Sequence, residues 1–405
     1  MVAHYFFLPR GLYLFLFFSC LLSCGGGDQK EADLTIPQRV NELMSKMTLQ
    51  EKIGQMNQYN GFWNVTGPSP KDGNAKEKYD HLAKGLVGSM LNVRGAREVR
   101  AVQEVAVNQS RLGIPLIIGF DLIHGYKTIS PIPLAESASW DLKAIRKSAA
   151  LGAKEASAAG INWTFAPMVD ITRDARWGRV MEGAGEDPYL GSAVAAARVK
   201  GFQGKDLSSS NSVAACAKHF AAYGFAESGR DYNTADIGES TLHNIVLPPF
   251  KAAADAGVST FMNAFNELNG IPATADKILQ RDILKGDWGF DGFIVSDWGS
   301  LKEMVVHGYA RDKNHAGELG LNGGSDMDME SYIYLSELES LLKQGRVKIA
   351  QIDDAVRRIL TVKYELGLFD DPFRYCDTIR EKEITGAPEI RAGAPVISFS
   401  RIVSQ

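Results

Sequence analysis

Asp297 closes a short apolar run, Phe293-Ile294-Val295-Ser296, which follows Gly292 and leads into Trp298-Gly299. A run of this kind, β-branched and bounded by Gly and Asp, suits a strand buried on both faces of a parallel sheet. A carboxylate at the C-terminal end of such a strand is placed to attack a substrate or carry a proton, and Trp298 beside it offers a floor for a sugar ring. The plainer reading is that Asp297 caps the next helix, ahead of Leu301-Lys302-Glu303-Met304. Other apolar runs end in the same way. Residues 116–120 lead into Asp121 and His124, and 163–167 into Asp170, Arg173, Asp174, Arg176, Arg179, Glu182, Glu186 and Asp187. Residues 213–217 lead into Lys218-His219, 259–262 into Asn263, Asn266 and Glu267, and 325–329 contain Asp326 and Asp328. One charged strand end is usually a cap; several of them, with Lys and His adjacent on one, favour an active face. His219 alone would read as a satisfied core histidine. Lys218 argues otherwise, because two polar tips at a strand end rarely both bury without a ligand.

The elements that must position these residues alternate. Apolar runs at 85–91, 116–120, 163–167, 213–217, 259–262, 293–296 and 325–329 are separated by Ala-rich stretches of helical period such as 138–159 and 242–256. Before them, 35–54 carries an apolar stripe at helical spacing (Val40, Leu43, Met44, Met47) and a Thr48/Glu51 start signal for a second helix. Strand–helix alternation implies βαβ units and a mainly parallel sheet. Seven runs point to an α/β fold, a (β/α)8 TIM-type barrel with room for an irregular first unit. An open doubly wound sheet would want a Gly-rich phosphate loop after an early strand, and none is present.

The net charge of -4 gives no basic surface for nucleic acid. Residues 6–22 are strongly apolar and end in Leu21-Leu22-Ser23-Cys24, followed by Gly25-Gly26-Gly27-Asp28. This pattern predicts a secretory signal and resembles a bacterial lipoprotein signal, with 1–24 removed as leader, Cys24 lipidated and 25–34 a flexible tether. A plain membrane anchor is the alternative. Either way the protein is expected to be exported, to the periplasm or the outer membrane. Of the 4 cysteines, Cys216 lies in an apolar run and reads as a packing residue, and no Cys/His spacing suggests zinc. No cofactor or metal is implied. The 405 residues exceed a typical barrel of about 250, so a barrel with large loops fits.

From about Val40 to about Arg374 the chain resembles glycoside hydrolase family 3, in its bacterial periplasmic β-glucosidase branch. The resemblance rests on Gly119-Phe120-Asp121-Leu122-Ile123-His124-Gly125, Arg173-Asp174-Ala175-Arg176-Trp177-Gly178-Arg179 with Gly185-Glu186-Asp187-Pro188-Tyr189, Lys218-His219-Phe220-Ala221-Ala222-Tyr223-Gly224, Asn269-Gly270-Ile271-Pro272-Ala273-Thr274 and the Asp297 strand. It implies that Asp297 is the nucleophile of a retaining, exo-acting β-glucosidase. It implies that Asp121, Arg179, Lys218 and His219, with Trp298 and Met262, hold the terminal non-reducing glucosyl ring of a β-glucoside or gluco-oligosaccharide. Arg176 is expected in an ion-pair cluster with Glu182 and Glu186, and Arg179 facing the sugar.

Two departures qualify this. Phe265 stands where many members carry a Tyr, which removes a hydroxyl near the nucleophile. Ala221-Ala222-Tyr223-Gly224 stands where the N-acetylhexosaminidase branch carries Pro-Gly and a catalytic His, which disfavours that branch. Residues 353–369 form the last helix of a barrel spanning 35–370, and 371–405 read as a linker whose composition changes after Arg391, as from a frameshift or premature stop. In the family an α/β sandwich domain follows and supplies the acid/base carboxyl. Hydrolysis of natural glucosides is therefore expected to be impaired unless the barrel holds its own acid, such as Glu267 or Glu182. A non-catalytic sugar-binding lipoprotein and a β-N-acetylhexosaminidase stay open as alternatives.

Overall fold

This computed structural model describes residues 34–62 and 64–393. Cys24, the expected leader and the last residues of the tail lie outside them. Ten strands are present among the described residues: β1 (Asn57–Asn60), β2 (Ser89–Leu91), β3 (Ile117–Phe120), β4 (Trp163–Thr164), β5 (Cys216–Phe220), β6 (Thr260–Asn263), β7 (Glu267–Leu268), β8 (Ile271–Pro272), β9 (Phe293–Val295) and β10 (Asp328–Met329). Parallel pairing runs β10-β1-β2-β3-β4 and β5-β6-β9. Parallel bridges Trp163–Ala214 and Met168–Lys218 join β4 to β5, and Val295–Met327 joins β9 to β10. The result is a closed eight-stranded parallel barrel, with β7 and β8 as a small antiparallel hairpin inserted after β6.

All seven expected runs contribute a strand. The eighth is β1, Asn57-Gln58-Tyr59-Asn60, and its unit is regular: the helix Gly73–Ala83 follows it and β2 pairs with it in parallel. Apolar pattern could not reveal it because it buries two polar amides, whose N–H ends find specific partners. Gln58 donates to Ser89 Oγ at 2.8 Å, and Asn57 to the Leu86 carbonyl at 3.1 Å.

The barrel is filled by large side chains. Trp163 packs edge-on against Phe165 and Phe293, with centroids 4.7 and 5.2 Å away, and its indole N–H donates to Thr260 Oγ1 at 2.8 Å. Cys216 and Met262 belong to the same core. Outside, the helices Leu142–Ala158 and Pro188–Gln203 pack through small residues such as Ala149, Ala153 and Ala195. The last barrel helix is Ile349–Glu365, and its buried Lys363 Nζ reaches Gln55 Oε1 at 2.6 Å and the Pro115 carbonyl at 2.7 Å.

Residues 371–393 pack back onto the barrel. Arg380 donates to Ser157 Oγ and the Ser210 carbonyl, and Glu381 accepts from the Ala96 N–H at 3.0 Å, at the start of the helix Ala96–Gln109. Ile390 is buried.

Candidate active site

Strand β5 delivers two neighbouring side chains to one site because its register with β6 slips between Lys218 and Phe220. The extra residue there is His219, and such a bulge re-aims a side chain that strict alternation would turn away. The following turn is held by a close approach: a Cβ on Gly224 would lie 2.3 Å from the Ile171 carbonyl oxygen, and only Gly fits.

Lys218 is 4% exposed and its Nζ donates to Asp121 Oδ1 at 2.7 Å. His219 is 1% exposed, and its Nδ1 lies 2.9 Å from Asp170 Oδ2, which also accepts the His219 backbone N–H at 2.9 Å. The other ring nitrogen, Nε2, lies 3.7 Å from Asp297 Oδ2, beyond hydrogen-bond reach. His219 is thus a buried histidine satisfied on one side only. Its ring packs edge-on against Tyr223 at 4.9 Å, and the Arg179 guanidinium lies over Tyr223 at 5.4 Å.

Asp297 follows β9. It does not cap the next helix, Ser300–Val306, whose N-cap is Gly299. Asp297 Oδ1 instead accepts from the Trp298 N–H at 2.6 Å, and Oδ2 is buried with no hydrogen-bond partner. Burial pushes the Asp297 carboxyl up to about 7, against the pull of Lys218, the Trp298 N–H and Arg179. Trp298 is 45% exposed beside this buried carboxylate. Asn263, at the end of β6, is tied to Ser325 and Thr274, and its Oδ1 lies 3.4 Å from the Asp297 N–H.

Several expectations are corrected. Arg176 pairs with Asp174 rather than with Glu182 or Glu186, through four short contacts on an exposed turn. Arg179 takes Glu182, at 2.7 and 2.9 Å. Burial opposes the Arg179 charge, but Glu182 outweighs it, and the Asp297 field adds to that. Glu182 is therefore already engaged, and Glu267 belongs to the β7 strand of the hairpin. Asp326 is bound to Lys285 Nζ and the Ile294 N–H, and Asp328 to the N–H groups of Ser331, Ile333 and Tyr334, so both are structural. Asp187 caps the helix Pro188–Gln203. Met262 packs in the barrel core, opposite Lys218 in the β5–β6 register.

Sequence reasoning placed Asp170 and Asn263 at the predicted active face without giving either a role, and did not single out Tyr232 or Glu303. Tyr232 packs on Phe265 with centroids 4.5 Å apart, and its phenol feels the charges of Asp297 and Glu303. Glu303 Oε2 is buried and unpartnered, and burial raises that carboxyl. The signal for Glu303 was its place in the first turn after Asp297, which reads equally well as a carboxylate at a helix start.

A closed parallel barrel that gathers carboxylates and cations at the C-terminal ends of its strands is an enzyme scaffold. Residues 48–362 match the glycosyl hydrolase family 3 N-terminal domain, and the chain belongs to that family. It is 43% identical over 337 residues to the periplasmic beta-glucosidase of Salmonella typhimurium, covering 83% of this chain and 43% of that protein. A beta-xylosidase of Formosa agariphila is 32% identical, covering 97% of this chain and 51% of its own length. The beta-glucosidase of Listeria innocua in complex with isofagomine has a TM-score of 0.82 at 41% identity, over 89% of this chain and 50% of that one. The chain spans about half the length of these relatives.

Proposed function

We infer that this barrel carries the nucleophile and the glycosyl pocket of a retaining, exo-acting β-glucosidase. The observation that carries the reading is Asp297 Oδ2: a buried, unpartnered carboxylate oxygen at a strand end, with Lys218, Arg179 and His219 converging on it. A nucleophilic carboxylate needs a free lone pair and nearby cations that keep it ionised. Asp121 offers a carboxylate that can accept two vicinal hydroxyls, and Arg179 and Lys218 polarise others. Trp298 flanks the ring, and Met262, in register with Lys218 on the neighbouring strand, supports the pocket from the barrel core. The substrates are terminal β-D-glucosyl residues of β-glucosides and gluco-oligosaccharides. The names of the relatives support this class, as does a Listeria innocua beta-glucosidase structure that holds glucose.

Export follows from the N-terminal apolar segment and is supported by the periplasmic relative. Lipidation of Cys24 would hold the protein at the membrane surface.

The test is turnover of an aryl β-glucoside with a good leaving group, which needs little acid assistance. The wild-type chain should release the phenol with retained anomeric configuration, and Asp297→Ala should not. An aryl β-N-acetylglucosaminide or β-xyloside hydrolysed faster than the glucoside would move the substrate class, and inverted product would reject a nucleophilic carboxylate.

A further inference from the structure

Asp170 is 2% exposed and lies on the stretch that bridges β4 to β5, where the Val169 N–H donates to the Lys218 carbonyl at 2.8 Å. One of its oxygens, Oδ2, receives both the backbone N–H and the ring Nδ1 of His219, each at 2.9 Å. The other, Oδ1, is buried and meets no donor or acceptor. A carboxyl proton would have to sit on Oδ1, where nothing accepts it, so the arrangement favours a carboxylate that accepts a hydrogen bond from each His219 N–H. With Nδ1 as donor, a neutral ring leaves Nε2 with a lone pair. That lone pair faces Asp297 Oδ2, also unpartnered, 3.7 Å away. Two acceptors at this distance are poorly satisfied until a donor comes between or beside them. A sugar hydroxyl is such a donor.

We propose that Asp170 is the positioning residue that fixes the ring tautomer of His219, so that Nε2 accepts a hydrogen bond from one hydroxyl of the bound sugar. The tautomer assignment stands on geometry alone; the identity of the donor rests on the glycosidase reading above. The groups around His219 agree with a neutral ring. Burial, then Arg179 and Lys218, disfavour the imidazolium, while Asp170 and Asp297 flank the ring and Tyr223 packs on it. Burial raises the Asp170 carboxyl, and the two His219 N–H groups on Oδ2 pull it back toward the carboxylate.

Two measurements decide this. The first is long-range proton–nitrogen NMR on histidine-labelled protein, with the His219 signals among the 7 histidines assigned by their loss in His219→Gln. Wild type should show Nδ1 protonated and Nε2 bare near pH 7. Asp170→Asn, whose amide oxygen can still accept both His219 N–H groups, should keep this tautomer, and Asp170→Ala, which removes that acceptor, should move the proton toward Nε2, where Asp297 Oδ2 can accept it. A wild-type ring protonated on Nε2, alone or on both nitrogens, would overturn the proposal even if Asp170→Ala failed to fold. The second is calorimetry with glucose and its monodeoxy derivatives. In wild type one deoxy position should bind roughly ten- to a hundredfold weaker, the loss expected for one hydrogen bond to a buried acceptor. In Asp170→Ala the gap at that position should close while the gaps at other positions remain. Gaps that all survive, with glucose affinity unchanged, would overturn it. Absence of glucose binding in wild type would reject the sugar pocket but leave the tautomer measurement standing.

Discussion

Lys218 Nζ donates to Asp121 Oδ1 at 2.7 Å, spanning from β5 past β4 to the residue that follows β3. The two ends are unequally wet: the Lys218 side chain is 4% exposed and the Asp121 side chain 49%. The ammonium is thus held by the protein, while the carboxylate keeps lone pairs at the opening for a ligand. Breaking the pair at either end has different costs, because a buried charge without its partner is far more expensive than an absent one.

Asp121→Ala should therefore lower both glucose affinity and thermal stability. Lys218→Met should lower affinity with the smaller loss of stability. Each charge-assisted hydrogen bond lost should weaken binding by about 1.5–3 kcal/mol, read by calorimetry. Unchanged affinity in both variants would mean that the pair does not face the sugar.

The two arginines of the Arg173–Arg179 motif should separate cleanly. Arg176 is 70% exposed and bound to Asp174, so Arg176→Ala should change binding by less than about 1 kcal/mol. Arg179, pinned by Glu182 beside Tyr223, should cost about 1.5–3 kcal/mol on truncation. Equal effects on glucose affinity would contradict the placement of Arg179 at the pocket.

The sequence made the barrel legible because seven of its strands are apolar runs ended by polar residues, and β-branched strands between Ala-rich helices leave few alternatives. The strand β1 stayed hidden because Asn57 and Gln58 are buried amides, whose N–H groups donate to Leu86 and Ser89, partners that no local pattern reveals. Strand-end positions and motifs pointed to Asp121, Lys218, His219 and Asp297, and the fold brings Lys218 to Asp121 and His219 to Asp297. What could not be read was which carboxylate serves which cation. Arg176 and Arg179 are three residues apart with acids on both sides, and only the turn geometry gives Asp174 to one and Glu182 to the other. Asp326 and Asp328 mislead for the same reason: at a strand end, a carboxylate that caps backbone N–H groups and one that faces substrate look alike.

Stability should depend on pH through the site itself. Burial raises Asp297 and Asp170 to about 7, well above their ordinary values. The folded protein binds these protons more tightly than the unfolded chain, so their contribution is fully present below about pH 4 and is lost as pH rises through about 7. Asp297→Asn cannot ionise. It should melt at least about 2 °C above wild type at pH 7.5, and the difference should shrink toward pH 4. A lower melting temperature at pH 7.5 would show that Asp297 is not held in a site that resists its charge.

The central claim is that Asp297 attacks the anomeric carbon, and its direct test is covalent trapping. A 2-deoxy-2-fluoro β-glucoside with an activated aryl leaving group destabilises the oxocarbenium-like transition state of both steps, while the leaving group lets the first proceed. Peptide mass mapping after incubation with the wild-type chain should find one fluoroglucosyl ester, on the peptide bearing Asp297, and none in Asp297→Ala. An ester on Glu182, Glu303 or another carboxylate, or turnover of aryl glucosides with no trapped ester at all, would contradict the account.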